Sequence, residues 1–158
     1  MSHGELTALC LRFVTEPQLT LKRTPVGFQQ VQRKPTILVV DDDENSLSAL
    51  KNLLRPTGYR VLQAGDGRQA IEVVIAEKLD LILLDLQLPK LDGLGVIRHL
   101  RENLNLSSLP IVMMTACDSE ESLGHAMACG CDEFLSKPID FDRLEAVLDH
   151  FIPLRAES

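Results

Sequence analysis

The sequence is poor in aromatic residues, with no tryptophan, one tyrosine and five phenylalanines among 158 residues. So few aromatic side chains leave few platforms on which nucleic-acid bases could stack. Basic residues are also scarce, 16 against 23 acidic ones, and the net charge of -7 disfavours binding to a phosphate backbone. We therefore expect that nucleic acid is not a direct partner.

Long apolar runs are missing as well. No stretch approaches the roughly 18 apolar residues that a membrane helix requires. The segment from Leu6 to Val14 is short, is interrupted by Arg12 and lacks a basic start, unlike a secretory signal. These features predict a cytoplasmic protein that does not bind a membrane.

The four cysteines, Cys10, Cys117, Cys129 and Cys131, have neither the spacing of a disulfide framework nor the two Cys-x-x-Cys pairs of a structural zinc site. We interpret them as reduced thiols. Cys129 and Cys131 flank Gly130 and could hold a metal or a strained disulfide. Small buried residues beside a glycine that ends a helix are the interpretation we favour.

Residues 1–34 differ in charge from the rest of the chain. They contain five basic and two acidic residues, which leaves 11 basic and 21 acidic residues for the remainder. Pro17 and Pro25 lie among polar stretches without sustained periodicity, as is typical of loosely attached segments. We predict a flexible extension over 1–34, one folded domain over 35–153 and a short tail over 154–158.

Short apolar runs alternate with longer stretches of helical periodicity after residue 35. Runs without polar alternation are typical of strands buried on both faces of a parallel sheet. The runs cover residues 37–40, 61–62, 81–84, 111–114 and 134–135. The helical stripes are Leu47, Leu50, Leu53 and Leu54; Ile71, Val74 and Ile75; Leu94, Ile97, Leu100 and Leu104; and Phe141, Leu144, Leu148 and Phe151, with a further helix starting near Asp118. The pattern predicts an α/β fold, a three-layer doubly wound domain with a five-stranded parallel sheet.

Polar residues follow four of the predicted strands, at the edge where such sheets bind ligands. Each has a simpler explanation when taken alone, since acidic residues there can cap the next helix, a threonine can lie in a turn and a lysine can be solvated. Their coincidence at four strand ends indicates a site. The residues are Asp41, Asp42 and Asp43 after the first strand, Asp85 after the third, Thr115 after the fourth, and Ser136, Lys137 and Pro138 after the fifth.

Over about residues 36–152 this constellation resembles the receiver domain of two-component response regulators. Residues 37–42 are similar to the family's first strand with its acidic pair. Residues 80–85, with Leu88-Pro89 and Asp92-Gly93, are similar to the phosphoacceptor strand and its loop, and Met114-Thr115-Ala116 and Ser136-Lys137-Pro138 complete the set. The resemblance implies a flavodoxin-like strand order 2-1-3-4-5. It also implies a stand-alone response regulator that catalyses only its own phosphorylation and dephosphorylation.

The resemblance implies that Asp85 is the phosphoacceptor. It further implies that Asp42, Asp85 and the backbone carbonyl of Gln87 bind Mg²⁺, with Asp41 acting through water. In the implied strand order the carboxylates converge and repel one another, and oxygen ligands select a hard divalent cation. Asp43 and the following Glu44 are interpreted as helix-capping residues rather than as a further metal ligand.

The remaining implied roles concern the phosphoryl group and the response to it. Thr115 and Lys137 would stabilise the phosphoryl group, and the bond from Lys137 to Pro138 is cis in the family. Thr115 and Phe134 would form the switch, although Phe134 could be an ordinary core residue and lacks the hydroxyl of the tyrosine frequent there. Gln87 and Cys117 would tune the lifetime of the aspartyl phosphate.

The partners implied are a histidine kinase or phosphotransfer protein and a downstream effector, with a possible homodimer through the last two helices and the fifth strand. An alternative function is a phosphohydrolase of the haloacid dehalogenase type. There Asp41 and Asp43 would be the nucleophile and general acid, supported by Thr115 and Lys137. That alternative leaves Asp85 unexplained and lacks a late acidic metal pair and a cap segment.

Overall fold

A computed structural model of the chain describes residues 33–116 and 119–153, which form five strands and five helices in alternation. The strands are β1 (Thr36–Val40), β2 (Arg60–Ala64), β3 (Leu81–Asp85), β4 (Ile111–Thr115) and β5 (Glu133–Ser136). The helices are α1 (Glu44–Leu54), α2 (Gly67–Ala76), α3 (Gly93–Arg98), α4 (Glu120–Ala128) and α5 (Phe141–Phe151). A 3-10 turn (Arg55–Thr57) follows α1, and a π-helical segment (His99–Asn103) continues α3.

All strands are parallel and lie in the order β2-β1-β3-β4-β5. This confirms the predicted fold class and the strand order. The register pairs Val40 of β1 with Leu84 of β3, so that the residues following both strands leave the sheet side by side. The carboxyl ends of β1, β3, β4 and β5 therefore meet at one edge.

The central strands β1, β3 and β4 are buried along their whole length. Alternate residues contribute to two cores on opposite faces of the sheet. Leu83 packs in the core beneath α1 and α5, whereas its neighbour Leu84 packs in the core beneath α2, α3 and α4. Because both faces are apolar, the strands have continuous hydrophobic sequences.

The structure corrects parts of the predicted helical stripes. Of the stripe in α2, Val74 is buried, whereas Ile75, about 100° further round the helix, is 68% exposed. In α5 the buried stripe includes Val147, and Phe141 in the first turn is 38% exposed. The stripe through α3 is not one α-helix, because the chain changes to π-helical hydrogen bonding after residue 98 and Leu104 follows that segment half-buried.

Each of the five helices begins after a capping side chain. Asp43 accepts hydrogen bonds from the backbone N–H groups of Asn45 and Ser46, which satisfies two donors at the start of α1. The prediction that Asp43 caps a helix is confirmed. Ser119 caps α4, whereas Asp118 lies outside the described residues. The caps are Asp43, Asp66, Asp92, Ser119 and Asp140. None of the helices in the described parts of the chain is long and apolar enough to cross a bilayer.

Candidate functional site

Three carboxylates meet at the carboxyl edge of the sheet. Asp41 directly follows β1, Asp85 is the last residue of β3, and Asp42 stands next to Asp41. One carboxylate oxygen from each lies within 4.8 Å of the others. Asp41 is 1% exposed and Asp85 is 7% exposed, whereas Asp42 faces solvent. The structure therefore brings Asp85 next to the adjacent pair Asp41 and Asp42, from which it is separated by more than 40 residues in sequence.

Backbone N–H groups orient the two buried carboxylates. The N–H of Asp43 donates to Oδ1 of Asp41 at 2.9 Å, and the N–H of Gln87 donates to Oδ1 of Asp85 at 3.0 Å. Each donor lies two residues after its acceptor, a local arrangement that Asp adopts readily. One oxygen of each carboxylate is thereby held, and the other oxygen of each is directed to a common partner.

That partner is Lys137, which follows β5. Its Nζ lies 2.9 Å from Oδ2 of Asp41 and 3.0 Å from Oδ2 of Asp85. The backbone N–H of Lys137 donates to the carbonyl oxygen of Thr115 at 2.7 Å, and the peptide bond between Lys137 and Pro138 is cis. Burial lowers the pKa of Lys137, but its hydrogen bonds to the two carboxylates raise the pKa by more, so the net shift is upward. The side chain is therefore an ammonium group.

The environment of Asp85 raises its pKa above the ordinary value. Burial is the largest cause, and the hydrogen bonds from Lys137 and the Gln87 N–H oppose it. Three carboxylates face one ammonium here, which leaves an excess of negative charge. An all-oxygen donor set with excess negative charge fits a hard divalent cation such as Mg²⁺. Such an ion would also favour the ionised form of Asp85.

Thr115 and Phe134 lie on the two strands beyond β3. Thr115, the last residue of β4, is 4% exposed and is paired in register with Ser136 of β5. Phe134 is half-buried and packs against the core beneath α2, α3 and α4. The side chain of Thr115 at the site and the ring of Phe134 thus lie on neighbouring strands.

Gly93 supports the loop after Asp85 through its backbone, a role that was not predicted from the sequence. The N–H of Gly93 donates to the carbonyl of Leu86 at 3.1 Å. A Cβ at this position would lie 2.5 Å from the carbonyl oxygen of Asp85 and 2.9 Å from Cα of Leu86. Glycine therefore allows the start of α3 to pack directly against the segment that carries Asp85.

An apolar groove beside the site was not predicted from the sequence. A cavity of about 330 Å³ extends from Asp41 and Lys137 between α1 and the segment after β5. Leu53 belongs to its lining and is 38% exposed, although its spacing had predicted a core residue. Its exposure depends on what α1 packs against, and no local signal in the sequence reports that. The apolar lining consists of Ala49, Leu50, Leu53, Met114, Pro138 and Ile139.

Comparison with known proteins identifies the family. The model of the response regulator receiver domain matches residues 37–149. The chain belongs to the response regulator receiver domain family. The match favours the receiver interpretation over the phosphohydrolase alternative, which gives Asp85 no role. Receiver domains are signalling domains of two-component systems rather than general enzymes.

Curated relatives of this receiver domain include transcriptional regulators. The transcriptional regulatory protein ZraR of Escherichia coli K12 is 41% identical over 113 residues, covering 72% of this chain and 25% of ZraR. The alkaline phosphatase synthesis transcriptional regulatory protein PhoP of Bacillus subtilis is 42% identical over 102 residues, covering 65% of this chain and 42% of PhoP. The chain thus spans less than half the length of either relative.

Solved structures of receiver domains superpose over most of the chain. Chemotaxis protein CheY4 of Vibrio cholerae matches with a TM-score of 0.71 and 27% identity, covering 75% of this chain and 99% of that one. A two-component response regulator of Clostridium difficile matches with a TM-score of 0.71 and 30% identity, covering 79% and 100%. The receiver domain therefore accounts for about three quarters of the chain.

Proposed function

We propose that this receiver domain accepts a phosphoryl group on Asp85 from a phosphohistidine of a histidine kinase or phosphotransfer protein. The observation that carries the proposal is the setting of the Asp85 carboxylate. One of its oxygens is held by the Gln87 N–H, and the other lies 3.0 Å from the Lys137 ammonium. A carboxylate fixed in this way, beside a cation and at an open sheet edge, is suited to act as a nucleophile toward phosphorus.

The reaction transfers the phosphoryl group in one displacement. A carboxylate oxygen of Asp85 forms a bond to phosphorus while the bond from phosphorus to the imidazole nitrogen of the donor breaks, and the electron pair leaves with the donor. Lys137 offsets negative charge on the phosphoryl oxygens, and the hydroxyl of Thr115 donates to one of them. Asp42, Asp85 and the Gln87 carbonyl would hold Mg²⁺, with Asp41 acting through water, and the ion would offset further charge on the phosphoryl group.

The apolar groove next to Asp41 and Lys137 offers a place for the donor protein. It opens beside the carboxylates, so a helix seated on Leu53 and Ile139 could present a phosphohistidine to Asp85. Apolar docking next to a charged reaction centre is a common arrangement for protein partners. We therefore place the donor on the face formed by α1 and the segment after β5.

The output follows from a change of packing. When Thr115 turns toward the phosphoryl group, Phe134 moves into the space that it leaves, and the surface of α4, β5 and α5 changes shape. We propose that a separate cytoplasmic effector or a second copy of the chain reads this surface. The curated relatives are longer than this chain, so it stays a prediction that the receiver domain acts without a fused output domain.

Gln87, exposed beside Asp85, would tune the lifetime of the aspartyl phosphate. Cys117, which was expected to share this role, lies outside the described residues.

Intact-protein mass spectrometry after incubation with acetyl phosphate and Mg²⁺ tests the proposal. The wild type is expected to gain one phosphoryl group, and Asp85→Asn none. Asp43→Asn is the matched control, because its carboxylate caps α1 and accepts no bond from Lys137. An adduct that persists in Asp85→Asn but is absent from Asp41→Asn would instead support the phosphohydrolase mechanism.

A further inference from the structure

Arg101, in the π-helical segment after α3, is bound to backbone carbonyls of two other segments. Its side chain is 14% exposed. Nε and Nη2 donate to the carbonyl of Gly130 at 3.1 and 2.9 Å, and Nη1 donates to the carbonyls of Leu109, at 2.8 Å, and Leu106. Nη2 also contacts Oδ2 of Asp132 at 2.8 Å. A rigid planar guanidinium thus holds the loop before β4 and the turn before β5 at once.

Asp132 extends this connection to the sheet itself. Its Oδ2 accepts a second hydrogen bond, from the backbone N–H of Ile111 at 2.8 Å, where β4 begins. Charge-assisted hydrogen bonds of this kind are about twice as strong as neutral ones. The turn that ends α4 is consequently tied both to the π-helical segment after α3 and to the start of β4.

The C-terminal end of α4 is tied to other segments of the fold. There the N–H groups of Gly130 and Cys131 donate to the carbonyls of Met127 and Ala126, and Ala126 is the one buried residue in α4. In the N-terminal half Glu120 and Glu121 are exposed, and a Cβ added at Gly124 would meet no atom within 4 Å. A helix whose end is bonded to two other segments opens last at that end.

We propose that Arg101 is a positioning residue that fixes the C-terminal end of α4 as a pivot. The displacement that follows phosphorylation is then largest over residues 120–124, and this half of α4 carries the surface that the partner reads. The inference rests on the proposed function for the displacement, but the pivot itself is a property of the unphosphorylated protein. Because Lys137 and Asp85 lie at the opposite edge of the sheet from Asp132, the pivot does not contribute to the chemistry.

Hydrogen exchange of the unphosphorylated full chain tests the pivot directly. In the wild type, the amides of Gly130 and Cys131 should exchange more slowly than those of residues 123–124. Arg101→Met should speed exchange at Gly130 and Cys131 by at least about tenfold, since the loss of even one of its charge-assisted hydrogen bonds has that effect, and leave α5 unchanged. Arg101→Lys should restore part of the protection. Arg98→Met is the matched control, because the Arg98 side chain is exposed and, among the described residues, is hydrogen-bonded only to Sγ of Cys129, at 3.9 Å.

Chemical shifts with and without beryllofluoride, a phosphoryl mimic, test the displacement. In the wild type the chemical-shift changes should be largest near residue 120 and decrease toward residue 130. In Arg101→Met and Asp132→Asn the changes should also be large at residues 127–130. The rate of phosphorylation by acetyl phosphate should not change in either variant, which separates positioning from chemistry. If Arg101→Met fails to fold, Arg101→Lys and Asp132→Asn carry both measurements.

A uniform change along α4 in the wild type, or an unaltered gradient and exchange pattern in the folded variants, would overturn the pivot. A wild type that takes up no phosphoryl group and does not respond to beryllofluoride would count against the proposed function. The exchange measurement would still decide whether Arg101 fixes the end of α4.

Discussion

The ammonium nitrogen of Lys137 lies 3.0 Å from Oδ2 of Asp85, although the two residues belong to segments separated by β4 in the sheet. The same nitrogen also contacts Asp41. In the unphosphorylated protein Lys137 thus occupies the position from which it would contact a phosphoryl group on Asp85. The proposed phosphorylation would therefore exchange one anionic partner of the ammonium for another and would require little movement of the lysine.

Replacing Lys137 with methionine should slow phosphorylation of Asp85 by about 10²-fold, because one preorganised positive charge is lost from the transition state. Arginine should not restore the rate, since the larger planar guanidinium does not fit the position that the compact ammonium occupies between the two carboxylates. Initial rates of aspartyl phosphate formation measure the effect. Lys90→Met, which removes an exposed lysine paired with Asp66, is the control. Rates equal to wild type in Lys137→Met would contradict the proposed role.

The metal-free protein should show Asp85 titrating at a higher pH than exposed carboxylates. Burial raises the pKa of Asp85, whereas the hydrogen bond from Ser46 is the largest cause that lowers the pKa of Asp43. Because the folded-state pKa of Asp85 lies above its unfolded value, the protonated form stabilises the fold, and this contribution is lost as pH rises through the folded pKa. Carboxyl carbon-13 shifts followed against pH report both residues.

One variant and the addition of Mg²⁺ extend this titration. Lys137→Met should raise the pKa of Asp85 further, because the hydrogen bond and the charge that oppose the upward shift are removed. Addition of Mg²⁺ to the wild type should lower the midpoint, since the ion and the proton compete for the carboxylate. A midpoint for Asp85 below that of Asp43 would show that burial does not control the titration.

Substitutions at Asp42 and Asp43 should have different effects, one on metal binding and the other on stability. Asp42→Asn should weaken Mg²⁺ binding in calorimetric titrations and leave the melting temperature nearly unchanged, because the side chain is exposed. Asp43→Ala should lower the melting temperature, because α1 loses its cap, and leave Mg²⁺ binding nearly unchanged. If both substitutions weakened metal binding equally, Asp43 would be a ligand as well as a cap.

Two glycine-to-alanine substitutions should have opposite effects. At Gly93 the added Cβ would collide with the backbone of Asp85 and Leu86, and we expect a loss of about 1–3 kcal/mol in the free energy of unfolding. At Gly124, within α4, the Cβ meets nothing and the better helix propensity of alanine should add about 0.5–1 kcal/mol. Urea denaturation of both variants measures the difference. Equal free energies of unfolding for the two variants would show that a Cβ at Gly93 fits without a collision.

The two cysteines after α4 should differ in reactivity. Cys131 is 5% exposed and burial raises the pKa of its thiol, whereas Cys129 is half-buried. Iodoacetamide at mildly alkaline pH should therefore modify Cys129 first and Cys131 only after unfolding, because the thiolate is the reactive form. Peptide mapping after a short exposure locates the modification. Early labelling of Cys131 would show that the turn opens readily.

The sheet and the site were predictable because the same local pattern specifies both. Strands buried on both faces need continuous apolar sequence, as in residues 81–84, and the residue that ends such a run lies at the ligand edge of a parallel sheet. The apolar run that Asp85 ends is therefore sufficient to place this carboxylate at the ligand edge. The position of Asp85 relative to the other strands was inferred from the resemblance to a family, since no single segment of the sequence determines the strand order.

The support of α4 was not predictable in the same way. Arg101 lies four residues after Ile97 and so has the spacing of the apolar stripe, but its partners are mainly backbone carbonyls, such as those of Leu109 and Gly130. The positions of these carbonyls depend on how distant segments pack, so no pattern of side chains in the sequence predicts them. The exposure of Ile75 has the same cause. Its residue type suggested a core position, but the packing of α2 buries the neighbouring Val74 instead.

The contacts of Lys137 also set the order in which the site can be assembled. Asp41 and Lys137 are separated by 96 residues in sequence, and Asp85 and Lys137 by 52. Because synthesis proceeds from the N-terminus, β1 and β3 are made before β5, so Asp41 and Asp85 are present before their ammonium partner. Contacts between residues this far apart in sequence carry a loop-closure cost in chain entropy. A chain that has not yet added β5 to the sheet therefore lacks the geometry proposed for accepting a phosphoryl group.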